Sequence, residues 1–321
     1  MITIFSFLLL TTAVSTTTAV KEGAKKPIPS FTLTELRDSL RAEEFASILR
    51  TTGLLTIETP SFDDTLRYDA LDGLCHCKNQ LAMVEHTDTS ILADGSTERT
   101  TVATATVGTT PHPLSATLAE HCGHDTAVFM EHIRDEVAIA GEAFVQALDA
   151  LIGNKNNYGN SLLRDSRGRS YNRVTSITNA ANHLEHFHLY SKTTASDESS
   201  LQWHTDAGLF LAFVPALNCQ GSTTTTSADT SFWYKDEHGT NTRAVFAPNS
   251  IAIMLGAGAE HWLKSPVPLK ATRHAVTNMQ EGDERAWYGM SKCWVTHQKV
   301  VLSVHFFRFC ITSHVLLCSQ L

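Results

Sequence analysis

The sequence predicts a mainly β fold with helical support, an α+β chain whose strands close into an antiparallel barrel or jelly roll. Two observations carry this. From residue 182 onward, short runs of strand-forming residues alternate with turn signals. Ahead of them one long segment, His124 to Ile152, repeats apolar residues at helical spacing: Ile133, Val137, Ala140, Phe144, Leu148 and Leu151 recur at steps of three and four. Gly153 then supplies a C-terminal stop, and Asn154-Lys155-Asn156-Asn157 reads as a loop.

The strands follow in order. Phe45 to Ile57 reads as a helix end, a break at Gly53, and a strand. Asn182 to Tyr190 is a strand that presents His186, His188 and Tyr190 on one face and Glu185, Phe187 and Leu189 on the other. Ala207 to Val214 is apolar and reads as a buried strand. Ser231 to Lys235 and Thr242 to Phe246 flank the turn Asp236-Glu237-His238-Gly239, forming a hairpin. After the break Ala247-Pro248-Asn249-Ser250, Ile251 to Leu255 is a short apolar strand ending in Gly256-Ala257-Gly258.

Chemistry concentrates at His204 and Asp206, in Trp203-His204-Thr205-Asp206-Ala207-Gly208, with His274 far downstream. Residues i and i+2 of a strand share a face, so both side chains aim the same way. Two imidazoles and one carboxylate on one face of a metal leave three positions open, the arrangement that non-haem Fe(II) uses to admit a co-substrate and O₂. A second tripeptide, His86-Thr87-Asp88, has the same spacing, but its polar flanks and the turn Ala93-Asp94-Gly95-Ser96 mark His86 as a surface or hairpin residue. His261 competes with His274 as the distal ligand. The ligating atoms should cluster within about 4 Å, given ligand bonds of about 2.0–2.2 Å. The His-rich strand 182–190 also admits a zinc reading, or a polar face turned to solvent.

This order of motifs resembles the Fe(II)/2-oxoglutarate-dependent dioxygenases of the isopenicillin N synthase-like type. The likeness rests on His-Thr-Asp-Ala-Gly, the hairpin, the Pro-x-Ser turn, the Leu-Gly strand end, the distal His followed by x-Val-Thr-Asn, and Arg285, 11 residues after His274. It spans roughly residues 170–295. It implies a double-stranded β-helix core, with His204, Asp206 and His274 as iron ligands and Arg285 as the anchor for the far carboxylate of 2-oxoglutarate. One of His186, His188 or Tyr190 would stand near the co-substrate. The implied cofactors are Fe(II) and 2-oxoglutarate, and the implied reaction couples oxidative decarboxylation of 2-oxoglutarate by O₂, yielding succinate and CO₂, to oxidation of a small-molecule substrate. The chain departs from the pattern in two places. Arg273 precedes the distal His where the family has Arg after it, and Trp287 stands where the family's Arg-x-Ser carries Ser. These departures favour a jelly-roll binding protein without catalysis, and an iron oxidase that does not use 2-oxoglutarate is a third reading.

Composition bounds the rest. With 321 residues, 42% hydrophobic, the chain can bury a large core. Its net charge of −8 offers no basic footprint for nucleic acid. Residues 1–20, with the apolar run Ile2 to Leu10 and the small residues Thr17-Thr18-Ala19, resemble a signal peptide, which implies secretion, with a cytoplasmic location as the alternative. Four segments follow from this: the signal peptide, a mixed helical region 21–165, a double-stranded β-helix core 166–299, and an apolar tail 300–321. No stretch reaches the clean apolar length of a membrane span. Seven cysteines in scattered positions describe no disulfide framework. Gly221 to Ser227 is low-complexity and reads as a surface loop near the pocket.

Overall fold

The computed structural model describes residues 24–153, 161–165, 168–195, 199–219, 232–276 and 279–292. The expected signal peptide, the Gly221 to Ser227 stretch and the apolar tail lie outside them. The chain begins with strands β1 (Lys25–Pro27) and β2 (Ser30–Thr32), helices α1 (Leu33–Arg37) and α2 (Ala42–Thr51), and strand β3 (Leu54–Glu58). Thr32 and Glu35 cap α1 reciprocally, each side chain accepting from the other's backbone N–H. Between α2 and β3, Gly53 takes φ +65°, and a Cβ there would lie 2.1 Å from the Lys270 carbonyl, so only glycine lets the chain turn at this point.

Helix α3 (Asp64–His76) starts at the Asp63 cap, whose carboxylate accepts from the Leu66 amide. Strands β4 (Thr87–Ile91), β5 (Thr97–Val107) and β6 (Thr110–Pro111) and helix α4 (Ala116–Cys122) follow. Helix α5 (His124–Gly153) covers the predicted segment and buries Ile133, Val137, Ala140, Phe144 and Leu148, the stripe read from the sequence. Then come β7 (Leu163–Arg164), β8 (Ser170–Tyr171), α6 (Val174–Asn179), β9 (Asn182–Lys192), β10 (Leu201–His204), β11 (Phe210–Asn218), β12 (Phe232–Lys235), β13 (Asn241–Val245), β14 (Ile251–Leu255), α7 (Ala257–His261), β15 (His274–Val276) and β16 (Glu284–Lys292).

Two sheets organise these strands. The smaller has the order β1-β13-β12-β15-β10. The larger runs β2-β3-β14-β11-β16-β9-β5-β4, with β6 paired to β5. From β9 to β16 the chain repeatedly crosses between them: β9, β11, β14 and β16 lie in the larger sheet, and β10, β12, β13 and β15 in the smaller. Strands β2, β3, β4 and β5 extend the larger sheet on both sides, and β1 adds to the smaller one, so strands from before residue 165 join both sheets.

Each face of the larger sheet has its own core. The outer face carries Val102, Phe187, Ala286, Tyr288 and Met290 against Ile133, Phe144 and Leu148 of α5 and Leu71 and Leu74 of α3. Within this layer Glu185 is fully buried and bonds Arg134 of α5, Thr106 and Tyr288. The inner core joins the two sheets: Leu211 and Phe213 of β11 and Ala252 and Met254 of β14 meet Phe232, Tyr234 and Ala244 of the smaller sheet, with Trp287 packed on them.

The cysteines correct the sequence reading. Cys75 at the end of α3 is bonded to Cys219 just past β11, and Cys77 to Cys122 at the end of α4. Their Cα–Cα separations of 5.5 and 5.0 Å suit disulfides. The partners are 144 and 45 residues apart, and only the packing of α3 over β11 and α4 brings them together.

Candidate metal centre

His204 ends β10 and His274 opens β15, and these strands are paired with His204 opposite His274. The pairing sets the two rings 4.3 Å apart, centroid to centroid. β10 stops at His204, and the chain turns through Asp206 to Gly208 before β11 starts at Phe210. Asp206 therefore sits in a loop rather than on the strand that the sequence suggested. The loop is held against the end of β14: Ala257 N–H donates to the Asp206 carbonyl at 2.7 Å, and Gly258 N–H to the carbonyls of Ala207 and Gly208 at 3.2 and 3.0 Å. The approach is close because residue 256 is glycine. A Cβ there would stand 2.1 Å from the Gly208 carbonyl and 2.9 Å from that of Asp206.

His204, Asp206 and His274 each offer a ligand atom, and these atoms lie within 4.8 Å of one another. That is somewhat wider than the expected 4 Å. His204 Nε2 is 3.7 Å from an Asp206 carboxylate oxygen. Among the described residues no other group of three His, Cys, Asp or Glu could hold a metal ion. The imidazoles are also oriented for ligation. His204 Nδ1 donates to the Gln202 carbonyl at 2.6 Å, and His274 Nδ1 to the Thr272 carbonyl at 3.1 Å. A carbonyl can only accept, so Nδ1 carries the proton on both rings and each Nε2 keeps its lone pair. His274 is 4% exposed. Burial holds its pKa below the ordinary imidazole value, Asp206 opposes that shift, and His204 adds to it. Phe232 stacks on the His274 ring at 5.2 Å with an interplanar angle of 8°, fixing its plane.

The competing residues lie elsewhere. His86 is exposed in a turn with φ +61°, and its carbonyl accepts from Ala103. His261 is exposed at the end of α7. On β9, His186, His188 and Tyr190 do share a face, and it is the inner one, so they are not a solvent-facing stripe. His188 Nδ1 shares a 2.8 Å hydrogen bond with Thr101. Arg285 lies opposite Tyr190 on β16. Trp287, two residues on, lies opposite His188 and stacks on it at 5.3 Å and 5°. Sequence reasoning missed Phe232 and Thr101 as supports of the site, because each acts through strand pairing that no local pattern reveals.

Neither a family model nor a curated protein matches the chain in sequence. Solved structures do match its fold. A dioxygenase for auxin oxidation from Arabidopsis thaliana, in complex with 2-oxoglutarate, aligns with TM-score 0.58 at 14% identity, covering 83% of this chain and 92% of that one. JOX2, in complex with 2OG, Fe and JA, aligns with TM-score 0.59 at 10% identity over 88% and 81% of the two chains. A full-length Neurospora crassa protein, in complex with alpha-KG and 5-formyluracil, aligns with TM-score 0.53 at 15% identity over 85% and 86%.

Proposed function

We infer that this chain is a non-haem Fe(II)/2-oxoglutarate-dependent oxygenase of the isopenicillin N synthase-like type, built on a double-stranded β-helix, and that it oxidises a small-molecule substrate. The observation that carries this is the His204, Asp206 and His274 group, with both Nδ1 atoms tied to carbonyls and both Nε2 atoms available. The alternation of β9 to β16 between two sheets supports the jelly-roll core. The oxygenase fold of the structural neighbours supports the chemistry.

Two neutral imidazoles and a carboxylate suit a divalent iron, and three protein ligands leave room for a chelating co-substrate and O₂. Iron with 2-oxoglutarate would supply the oxidising power, giving succinate and CO₂ with the oxidised product. The chain's own residues bind, orient and exclude water. Gln202 and Thr272 carbonyls hold the two imidazoles, and Phe232 packs the His274 ring. Arg285 and Tyr190 offer a guanidinium and a phenol to the distal carboxylate, since a buried carboxylate needs charged or hydrogen-bonding partners. His188, bonded to Thr101 and covered by Trp287, forms the adjoining wall. Phe213, Phe246 and Tyr234 give the interior between the sheets an apolar lining. The two disulfides support folding in an oxidising compartment, and so the secretory pathway.

Trp287 is the feature that favours the other readings, a ligand-binding relic or an iron oxidase without 2-oxoglutarate, because its indole occupies space beside the anchor. Anaerobic titration with Fe(II) and then 2-oxoglutarate separates them. Stoichiometric iron uptake, a visible charge-transfer band on adding 2-oxoglutarate, and succinate release in air are expected. No iron uptake leaves the binding protein. Iron uptake without the band or succinate leaves the other oxidase.

A further inference from the structure

Strands β5, β9 and β16 lie side by side, and their inward residues form rows across the sheet. One row is Thr101, His188 and Trp287, and the next is Arg99, Tyr190 and Arg285. The parity is fixed by the row on the other side of Thr101, Val102, Phe187 and Tyr288, which packs outward against the helices. Tyr190 thus stands between two arginines, one from each neighbouring strand. Arg99 is 7% exposed and the Arg285 side chain 17%. Arg285 pairs with Asp283, just ahead of β16, at 3.6 Å. Arg99 bonds the Tyr190 hydroxyl and reaches Ser90 Oγ at 3.5 Å. Lys192, beyond this row, is neutralised by Asp94 at 2.7 Å.

We propose that Arg99 is a second anchor for the distal carboxylate of 2-oxoglutarate, closing on it from the side of Tyr190 opposite Arg285. This rests on the oxygenase reading above. Adjacent strands are about 4.8 Å apart, so the two arginine Cα atoms flank Tyr190 at about 10 Å from one another. Both long side chains can reach a carboxylate placed at the Tyr190 hydroxyl. A carboxylate accepts at about four lone-pair sites, enough for two guanidinium forks and a phenol. The row holds two guanidinium groups against the single carboxylate of Asp283, so a second anion beside Tyr190 is electrostatically favoured. Burial raises the Tyr190 pKa, Arg99 opposes this, and the Asp206 charge adds to it. The row therefore lies within electrostatic reach of the metal ligands. Trp287 covers Gly289, where a Cβ would meet its indole at 2.3 Å, so the next row along β16 is filled and the carboxylate is confined to the arginine row. The sequence gives no hint of this, because Arg99 lies far ahead of the motif region and meets it only through the β5 to β9 register.

The test is anaerobic calorimetric titration of the Fe(II)-loaded full chain with two ligands. One is 2-oxoglutarate. The other is 2-oxopentanoate, which keeps the chelating head and lacks the distal carboxylate. Arg99→Gln should weaken 2-oxoglutarate by about 10- to 100-fold, the usual worth of hydrogen bonds to a charged group. It should leave 2-oxopentanoate within about twofold of wild type, within the usual scatter of such values. Arg99→Lys, which keeps the charge without the planar fork, should fall between, and it serves where Arg99→Gln does not fold. Equal 2-oxoglutarate affinity in wild type and variant overturns the proposal while leaving the oxygenase reading intact. Equal loss for both ligands also overturns it, since that marks a structural effect. Wild type that binds iron but not 2-oxoglutarate overturns the oxygenase reading itself.

Discussion

At the scale of single residues, the candidate metal group rests on pairs of atoms whose partners are fixed. His204 and His274 each spend Nδ1 on a carbonyl, so removing either ring, or the Asp206 carboxylate, leaves two ligands for a labile divalent ion. His204→Ala and Asp206→Ala are each expected to abolish stoichiometric Fe(II) binding, measured by metal analysis after anaerobic desalting. His86→Ala, altering an exposed turn, should bind iron as wild type does, and the reverse result would mean that the wrong His-x-Asp tripeptide has been chosen. Arg285 calls for a different readout. Its place opposite Tyr190 on the inner face predicts that Arg285→Gln raises the half-saturating 2-oxoglutarate concentration by about tenfold or more while iron affinity changes little. Unchanged co-substrate dependence of succinate release in that variant would remove Arg285 from the anchor. His204 and Asp206 drew attention as a local tripeptide, although the strand argument for them does not hold for Asp206, and His274 and Arg285 came from the resemblance. Arg99 and Phe232 were not legible, because they reach the site across strands from distant parts of the chain.

At the scale of elements, the site depends on how closely the end of β14 approaches the loop after β10. Gly256 permits that approach, and the amides of Ala257 and Gly258 then hold the carbonyls of Asp206, Ala207 and Gly208. Gly256→Ala places a methyl group 2.1 Å from a backbone oxygen, and no side-chain rotation relieves a clash with backbone. The 206–208 loop must shift, taking the Asp206 carboxylate out of position. We expect the variant to lose iron affinity more than tenfold, about 1.4 kcal/mol or more, with its circular dichroism retained. Normal iron binding in Gly256→Ala would show that the loop is not held by this contact. The sequence marked Gly256-Ala257-Gly258 only as a strand end. It also ran β11 back to Ala207, since apolar character does not say where pairing begins; the strand starts at Phe210, where the ladders to Leu255 and Lys292 open.

At the scale of the whole molecule, the helical layer is fastened to the sheets by covalent bonds as well as by packing. The helix α5 and its stripe were readable from periodicity, and strand composition with turn signals gave β9, β11, β12, β13 and β14, but not β15 or β16. The way the N-terminal strands extend the larger sheet was not readable, nor was the cysteine pairing, because both depend on contacts between segments far apart in sequence. Cys75–Cys219 joins α3 to the end of β11, and Cys77–Cys122 joins the segment after α3 to α4. With partners 144 and 45 residues apart, each bond restricts the unfolded chain strongly, and its loss is expected to cost about 2–4 kcal/mol. Guanidinium unfolding followed by fluorescence with and without reductant checks this. The midpoint should fall on reduction, and Cys75→Ala with Cys219→Ala should reproduce part of the fall. Cys75, Cys77, Cys122 and Cys219 should resist alkylation in denaturant until reductant is added. If they alkylate at once in protein prepared under oxidising conditions, the helical layer is held by packing alone, and the disulfides no longer support a secretory location.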